Sequence, residues 1–202
     1  NLNINLNIPA LNIYPAFGDF NGDGNKDLIV GDADGKLHYF TNNGGLVSSF
    51  TLSVADYEHI DVGYFAAPQI IDVNRDGLND IIIGEQNGTI NYCPNTGTNT
   101  VAIFDTIITN FGAIDVDELF ISSGFSSPKL IDSSGVYQLF VGSYTGSIYQ
   151  FTNIDGNLNG AFIEVNSAIA NIWDGGKCAF TLRDITNDNQ PEMILGNLSG
   201  GL

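Results

Sequence analysis

Two nine-residue stretches carry oxygen-bearing side chains at alternate positions. The first runs Asp19-Phe20-Asn21-Gly22-Asp23-Gly24-Asn25-Lys26-Asp27 and the second Asp72-Val73-Asn74-Arg75-Asp76-Gly77-Leu78-Asn79-Asp80. A looser copy is Asp184-Ile185-Thr186-Asn187-Asp188-Asn189-Gln190-Pro191-Glu192. Oxygen donors stand at loop positions 1, 3, 5 and 9, the pattern a hard divalent cation needs to collect six to eight short oxygen contacts. Position 7 (Asn25, Leu78, Gln190) is expected to give its backbone carbonyl, so its side chain is free to vary. Gly24 and Gly77 at position 6 permit a sharp turn. Three carboxylates crowded into nine residues repel one another unless a cation lies among them. The expected ion is Ca2+, with two good sites and a weaker third, where Thr186, Asn189 and Glu192 depart from the pattern. An EF-hand also opens with these residue types. It requires a bidentate Glu at position 12 and a following helix, whereas position 12 here is Val30 or Ile83 in an apolar run.

The loops lie within a longer repeat. Their first acids, with Asp132 of a shortened copy, fall at 19, 72, 132 and 184, spacings of 53, 60 and 52. Four residues earlier stand Pro15, Pro68, Pro128 and Phe180. Beyond each loop come paired glycines: Gly31 and Gly35, Gly84 and Gly88, Gly142 and Gly146, Gly196 and Gly200. Phe40, Cys93 and Phe151 align, as do Asn42, Asn95 and Asn153. The apolar runs 28–30, 81–83, 139–141 and 193–195 read as buried strands. Further strands are expected at 37–40, 90–93 and 148–151, and at 50–54, 104–109 and 162–165. The fold class is therefore all-β. A unit of about four antiparallel strands with a period near 50 is a β-propeller blade. Residues 1–202 form one propeller domain or fragment, with units near 15–67, 68–127, 128–179 and 180–202. The alternation at 1–8 predicts a half-buried strand, and a strand near 6–13 is able to complete the last blade if four blades close alone. The other expectation is that the chain is part of a larger ring.

Composition narrows the function classes. The net charge of −17 and the scatter of the six basic residues oppose nucleic-acid binding. No apolar run reaches the ~18 residues of a membrane-spanning helix. Cys93 occupies a slot filled by Phe in other units and reads as a small core residue; a Cys93–Cys178 disulfide is the lesser expectation. The shortened Asp132 loop reads as ion-free, closed by its hydroxyls and Tyr137.

Phe17-Gly18-Asp19, the D-x-N-x-D-G-x-x-D loops and the glycine-bounded strands after them resemble the FG-GAP/VCBS repeat family. That resemblance covers nearly the whole chain. It implies a calcium-bearing propeller, usually of seven blades, as in integrin α-subunit heads. Segments 153–160 and 173–176 look like those of secreted Bacteroidetes-type proteins, which implies extracellular or cell-surface residence and export by type IX secretion.

Two function classes follow. In the first, calcium stiffens a non-catalytic binding, adhesion or structural module whose partner is a protein, a glycan or another domain of its parent. In the second, a propeller scaffold carries a calcium-dependent polysaccharide lyase or hydrolase. His38 and His59 are the only histidines, and both read as structural or surface groups. Asp61, Asp115 and Asp117 read as turn caps, and no Ser-His-Asp order or zinc spacing is present. The expected protein is therefore not an enzyme. Trp173 is expected in a blade core, with an exposed ligand platform as the alternative.

Overall fold

The computed structural model describes residues 3–4, 12–45, 49–117, 123–167, 169, 179–186 and 191–196. It is all-β, with four sheets in the form of partial propeller blades. The chain forms two compact units. One holds residues 1–85 and 91–109, the other 86–90 and 110–202.

In the first unit, β1 (Asn3–Ile4), β2 (Tyr14–Gly18), β3 (Asp27–Gly31), β4 (Leu37–Asn42) and β5 (Ser49–Val54) form one sheet, ordered β1-β5-β4-β3-β2. Strands β2 to β5 run antiparallel in chain order. Strand β1 is the exception, lying parallel on the outer edge of β5 with Ile4 opposite Phe50. The next sheet orders β6 (Ala67–Ile71), β7 (Asp80–Gly84) and β8 (Ile90–Cys93).

Strands β3 and β7 are buried along their whole length, as continuous apolar runs predict. Ile29 and Leu37 meet Ile81, Ile83 and Cys93 in one core, sealed by Phe20, Tyr57 and Phe104. Close approach of β2 and β6 explains Gly18: a Cβ there would overlap Ile70 Cγ2.

The fourth strand expected at 104–109 is not formed. A single antiparallel bridge joins Tyr92 to Ile108. The preceding segment folds into a hairpin, Thr96 N–H to Ile103 O at 2.9 Å, and Phe104 turns inward to 2% exposure. Burying that ring against Phe20 and Tyr57 takes the chain off the strand path.

In the second unit, β9 (Ser127–Ser133), β10 (Val136–Gly142), β11 (Ile148–Thr152) and β12 (Ile163–Asn166) form a four-stranded antiparallel blade. The last pair is β13 (Ala179–Arg183) with β14 (Glu192–Gly196). Phe140, Ile148 and Phe180 centre this unit's core. The segment 5–11, Trp173 and Cys178 lie outside the described residues.

Candidate metal centre

Each acidic loop joins the first two strands of its blade, β2 to β3 and β6 to β7. Position 2 pins it to the core, since Phe20 and Val73 are 4% and 2% exposed. The arch above is drawn by its own side chains. Asp19 accepts N–H groups from Gly22 at 2.8 Å and Gly24 at 2.9 Å. Asn21 Oδ1 accepts from Asp23 at 2.9 Å, and Asp23 Oδ1 from Asn25 at 2.7 Å. The second loop repeats this network: Gly77 to Asp72 at 2.8 Å, Asp76 to Asn74 Oδ1 at 2.9 Å, and Leu78 to Asp76 Oδ1 at 2.8 Å. Gly24 and Gly77 take φ of +81° and +89°, the left-handed turn expected at position 6. Successive Asx turns thus bring the oxygens of positions 1, 3 and 5 onto one short arch.

Position 9 is placed differently. Asp27 and Asp80 are the first residues of β3 and β7 and are fully buried. Asp27 accepts from Phe20 N–H at 3.3 Å, Asn42 N–H at 2.9 Å and the Tyr39 hydroxyl at 2.6 Å. Asp80 accepts from Val73 N–H at 2.9 Å, Asn95 N–H at 2.7 Å and the Tyr92 hydroxyl at 3.0 Å. Each carboxylate ties its loop to β3 or β7 and to the strand end beyond. Among the described residues no three His, Cys, Asp or Glu side chains converge closely enough to hold a metal.

The donor set nevertheless fits a hard cation. It is all oxygen, and an ionised carboxyl group has about four lone-pair sites, more than the observed hydrogen bonds use. Among the described residues no ion pair reaches Asp27 or Asp80. A buried carboxylate without a basic partner is costly. Asp80 shows the strain: burial, with Asp76 adding to it, pushes its pKa above the ordinary carboxylate value despite its three hydrogen bonds. A dication would supply the missing positive charge. Residues to hold it would be Asp19, Asn21, Asp23, Asn25 and Asp27 in one loop, and Asp72, Asn74, Asp76, Leu78 and Asp80 in the other.

The remaining loops differ. In the last, Glu192 accepts from Ile185 N–H at 2.6 Å, as position 9 does elsewhere, but also from the Thr186 hydroxyl at 2.9 Å. These bonds hold its pKa below the ordinary value, the Ile185 N–H foremost. Position 2 here, Ile185, is 54% exposed, so this loop lacks the core anchor. Asp184 is described; Asp188 and Gln190 lie outside the described residues.

The shortened loop is a two-residue hairpin turn at Ser134-Gly135, φ +56° and +88°. Asp132 Oδ1 accepts Gly135 N–H at 2.6 Å. Beside the turn, Tyr137 donates its N–H to Asp155, 2.7 Å away in the loop after β11. Where position 9 would stand is Gln138, and where Tyr39 and Tyr92 stand is Gln150. The two amides bond to each other at 2.9 Å.

Tyr39, Tyr92, Asp155 and the Gln138–Gln150 pair were not singled out from the sequence. A signal was present, because each position-9 residue has its partner twelve residues later in all three units.

The other candidates take structural places. His38 is buried, its Nε2 2.8 Å from Asp32 Oδ2, while the His59 side chain is 92% exposed beside Asp56. Asp61 and Asp115 cap turns, accepting N–H groups from Gly63 and Asp117. Cys93 is fully buried and free.

Residues 19–83 match the family model described as FG-GAP-like repeat, a span that includes both well-formed loops. That span carries the FG-GAP-like repeat signature. No curated protein matches it. No helix among the described residues is long and apolar enough to cross a membrane.

Proposed function

We propose that this chain is a calcium-stabilised, non-catalytic β-propeller module of a secreted or cell-surface protein. Its role is to bind a protein or glycan, or to brace a neighbouring domain of its parent. The observation that carries the reading is the internal comparison of blades. In the first two blades, whose loops offer acids at positions 1 and 5, position 9 is a buried acid clamped by tyrosine. Where the loop is cut to a two-residue turn, the same pair becomes two neutral glutamines. A charge that leaves with the loop belongs to the loop's chemistry rather than to the blade's.

Outside the loops, Asp61 and Asp115 serve turns, and His38 pairs with a buried carboxylate within its own blade. These uses favour a scaffold over a catalyst. Extracellular calcium is abundant enough to fill loops of millimolar to micromolar affinity.

The test is thermal unfolding in excess Ca2+ and then in chelator. A site filled at a hundredfold its dissociation constant adds about 2.7 kcal/mol. Chelation is expected to lower Tm by several degrees per filled loop. Superimposable melting curves in Ca2+ and in chelator would refute the reading.

A further inference from the structure

The two acidic loops of the first unit are joined. Asn79, position 8 of the second loop, donates its side-chain N–H to the backbone carbonyl of Asp19, position 1 of the first, at 3.0 Å. A second path runs through the hairpin after β8. Asp80 Oδ1 holds the Asn95 N–H at 2.7 Å, and Asn95 Oδ1 accepts from Gly97 at 3.0 Å and Ile103 at 3.1 Å. The tip of that hairpin presses on the first loop: a Cβ on Gly22 would lie 2.8 Å from Thr100 Cγ2 and 2.9 Å from the Asn99 carbonyl oxygen. A cleft of about 260 Å³ separates the loops, lined by Asp19, Gly22, Gly77, Leu78, Asn79 and Asn95 among others.

Asn79 sits between two coordinating positions, the Leu78 carbonyl and the Asp80 carboxylate. A cation in the second loop fixes both neighbours and with them the direction of the Asn79 amide. That amide grips the residue whose carboxylate opens the first loop. Ordering one loop therefore removes freedom the other would otherwise lose on binding, which is positive coupling without a large movement. We propose that the two loops fill cooperatively, with the Asn79–Asp19 hydrogen bond as the strut between them. The inference rests on the calcium reading above. Coupling is reciprocal, so each loop tightens the other by the same factor. One net hydrogen bond corresponds to roughly two- to tenfold in affinity. Direct repulsion between two dications has the opposite sign and is screened by salt.

Amide NMR of the full chain titrated with Ca2+ reads the loops separately. Gly24 N–H, bonded to Asp19, reports the first loop, and Gly77 N–H, bonded to Asp72, the second. Asn79→Ala removes no ligand from the first loop, yet is expected to raise the Gly24 midpoint roughly two- to tenfold. Asp76→Ala, which disables the second loop, is expected to give a similar rise, and the double variant to add nothing further. A Gly24 midpoint unmoved or lowered by both single substitutions overturns the coupling and leaves calcium binding standing. A further rise in the double variant also overturns it, because Asn79 would then act without the second ion. If neither glycine responds to Ca2+, the calcium reading fails and the coupling with it. Should Asp76→Ala lose the native spectrum, the Asn79→Ala midpoint decides alone.

Discussion

Replacing Asp80 by Asn separates the hydrogen-bonding role seen in the structure from the proposed role as a cation ligand. As a structural hub it accepts three hydrogen bonds, from Val73 N–H, Asn95 N–H and the Tyr92 hydroxyl. As a ligand it gives charge to an ion. Asparagine keeps one carbonyl oxygen at the site and turns an NH2 toward the other donors. The tyrosine hydroxyl can rotate and accept. One backbone N–H is left facing a donor, at a cost of about 1–3 kcal/mol. Against this, the variant no longer buries a charge that has no basic partner, and the raised pKa of Asp80 shows that burial opposes its ionised form. These terms oppose one another, so the net loss in chelator is expected to be about 0–2 kcal/mol.

Calcium changes the comparison. A wild-type loop held at a hundredfold its dissociation constant gains about 2.7 kcal/mol, most of which the variant forfeits. For a chain of this size 1 kcal/mol moves Tm by about 2–4 °C. The gap between wild type and Asp80→Asn is therefore expected to widen by roughly 5–10 °C on passing from chelator to saturating Ca2+. Differential scanning calorimetry of both proteins in both buffers measures it. An equal Tm deficit in the two buffers would refute the ligand role and leave Asp80 a structural carboxylate only.

Two further outcomes are expected. Burial first, and then Asp80, pushes the Cys93 thiol up to about 12 from its ordinary value of 9.0. Burial likewise raises the pKa of Tyr39, Tyr57 and Tyr92, with Asp27 or Asp80 adding to each. The folded chain holds these protons more tightly than the unfolded one, so stability is complete below about pH 9 and declines as pH rises toward 12. The thiol alone accounts for roughly 4 kcal/mol by pH 12. Urea melts from pH 8 to 11 check the slope, and rapid labelling of Cys93 itself, resolved from Cys178 by peptide mapping, in the folded chain at pH 8 would contradict its burial. Asp155→Ala removes the acceptor of the Tyr137 N–H and is expected to cost about 1–3 kcal/mol, with no dependence on Ca2+. Denaturant unfolding with and without the ion reads both statements.

What the sequence made legible was local. Alternating oxygens and glycines at fixed offsets define the turns, and apolar runs between turn residues define the strands. Every expected inner strand formed, because β3 and β7 need only bury both faces to be stable. Failures came where one segment had two competing uses. At 104–109 the pull of Phe104 into an aromatic core outweighed pairing along Tyr92. The alternation around Ile4 signalled a strand and carried no information on its partner; it lies parallel on β5, and a short period-2 segment pairs with whichever edge is open.

The candidate site was legible to the same depth. Positions 1, 3, 5 and 7 are neighbours in sequence, and their turn chemistry is fixed by residue type alone. Position 9 acts across strands, on a hydroxyl twelve residues away and an N–H fifteen away. Such contacts appear in a single sequence only as correlated changes between its repeats. The third blade supplies that correlation: with its arch gone, it has lost both the acid and the tyrosine, and Asp155 has taken over the N–H beside them. Had Asp27 and Asp80 been needed only to close the blade, the third blade would need the same carboxylate at the same place. It closes with two amides, and that difference is the ground for proposing that Asp27 and Asp80 serve the first two blades through their charge.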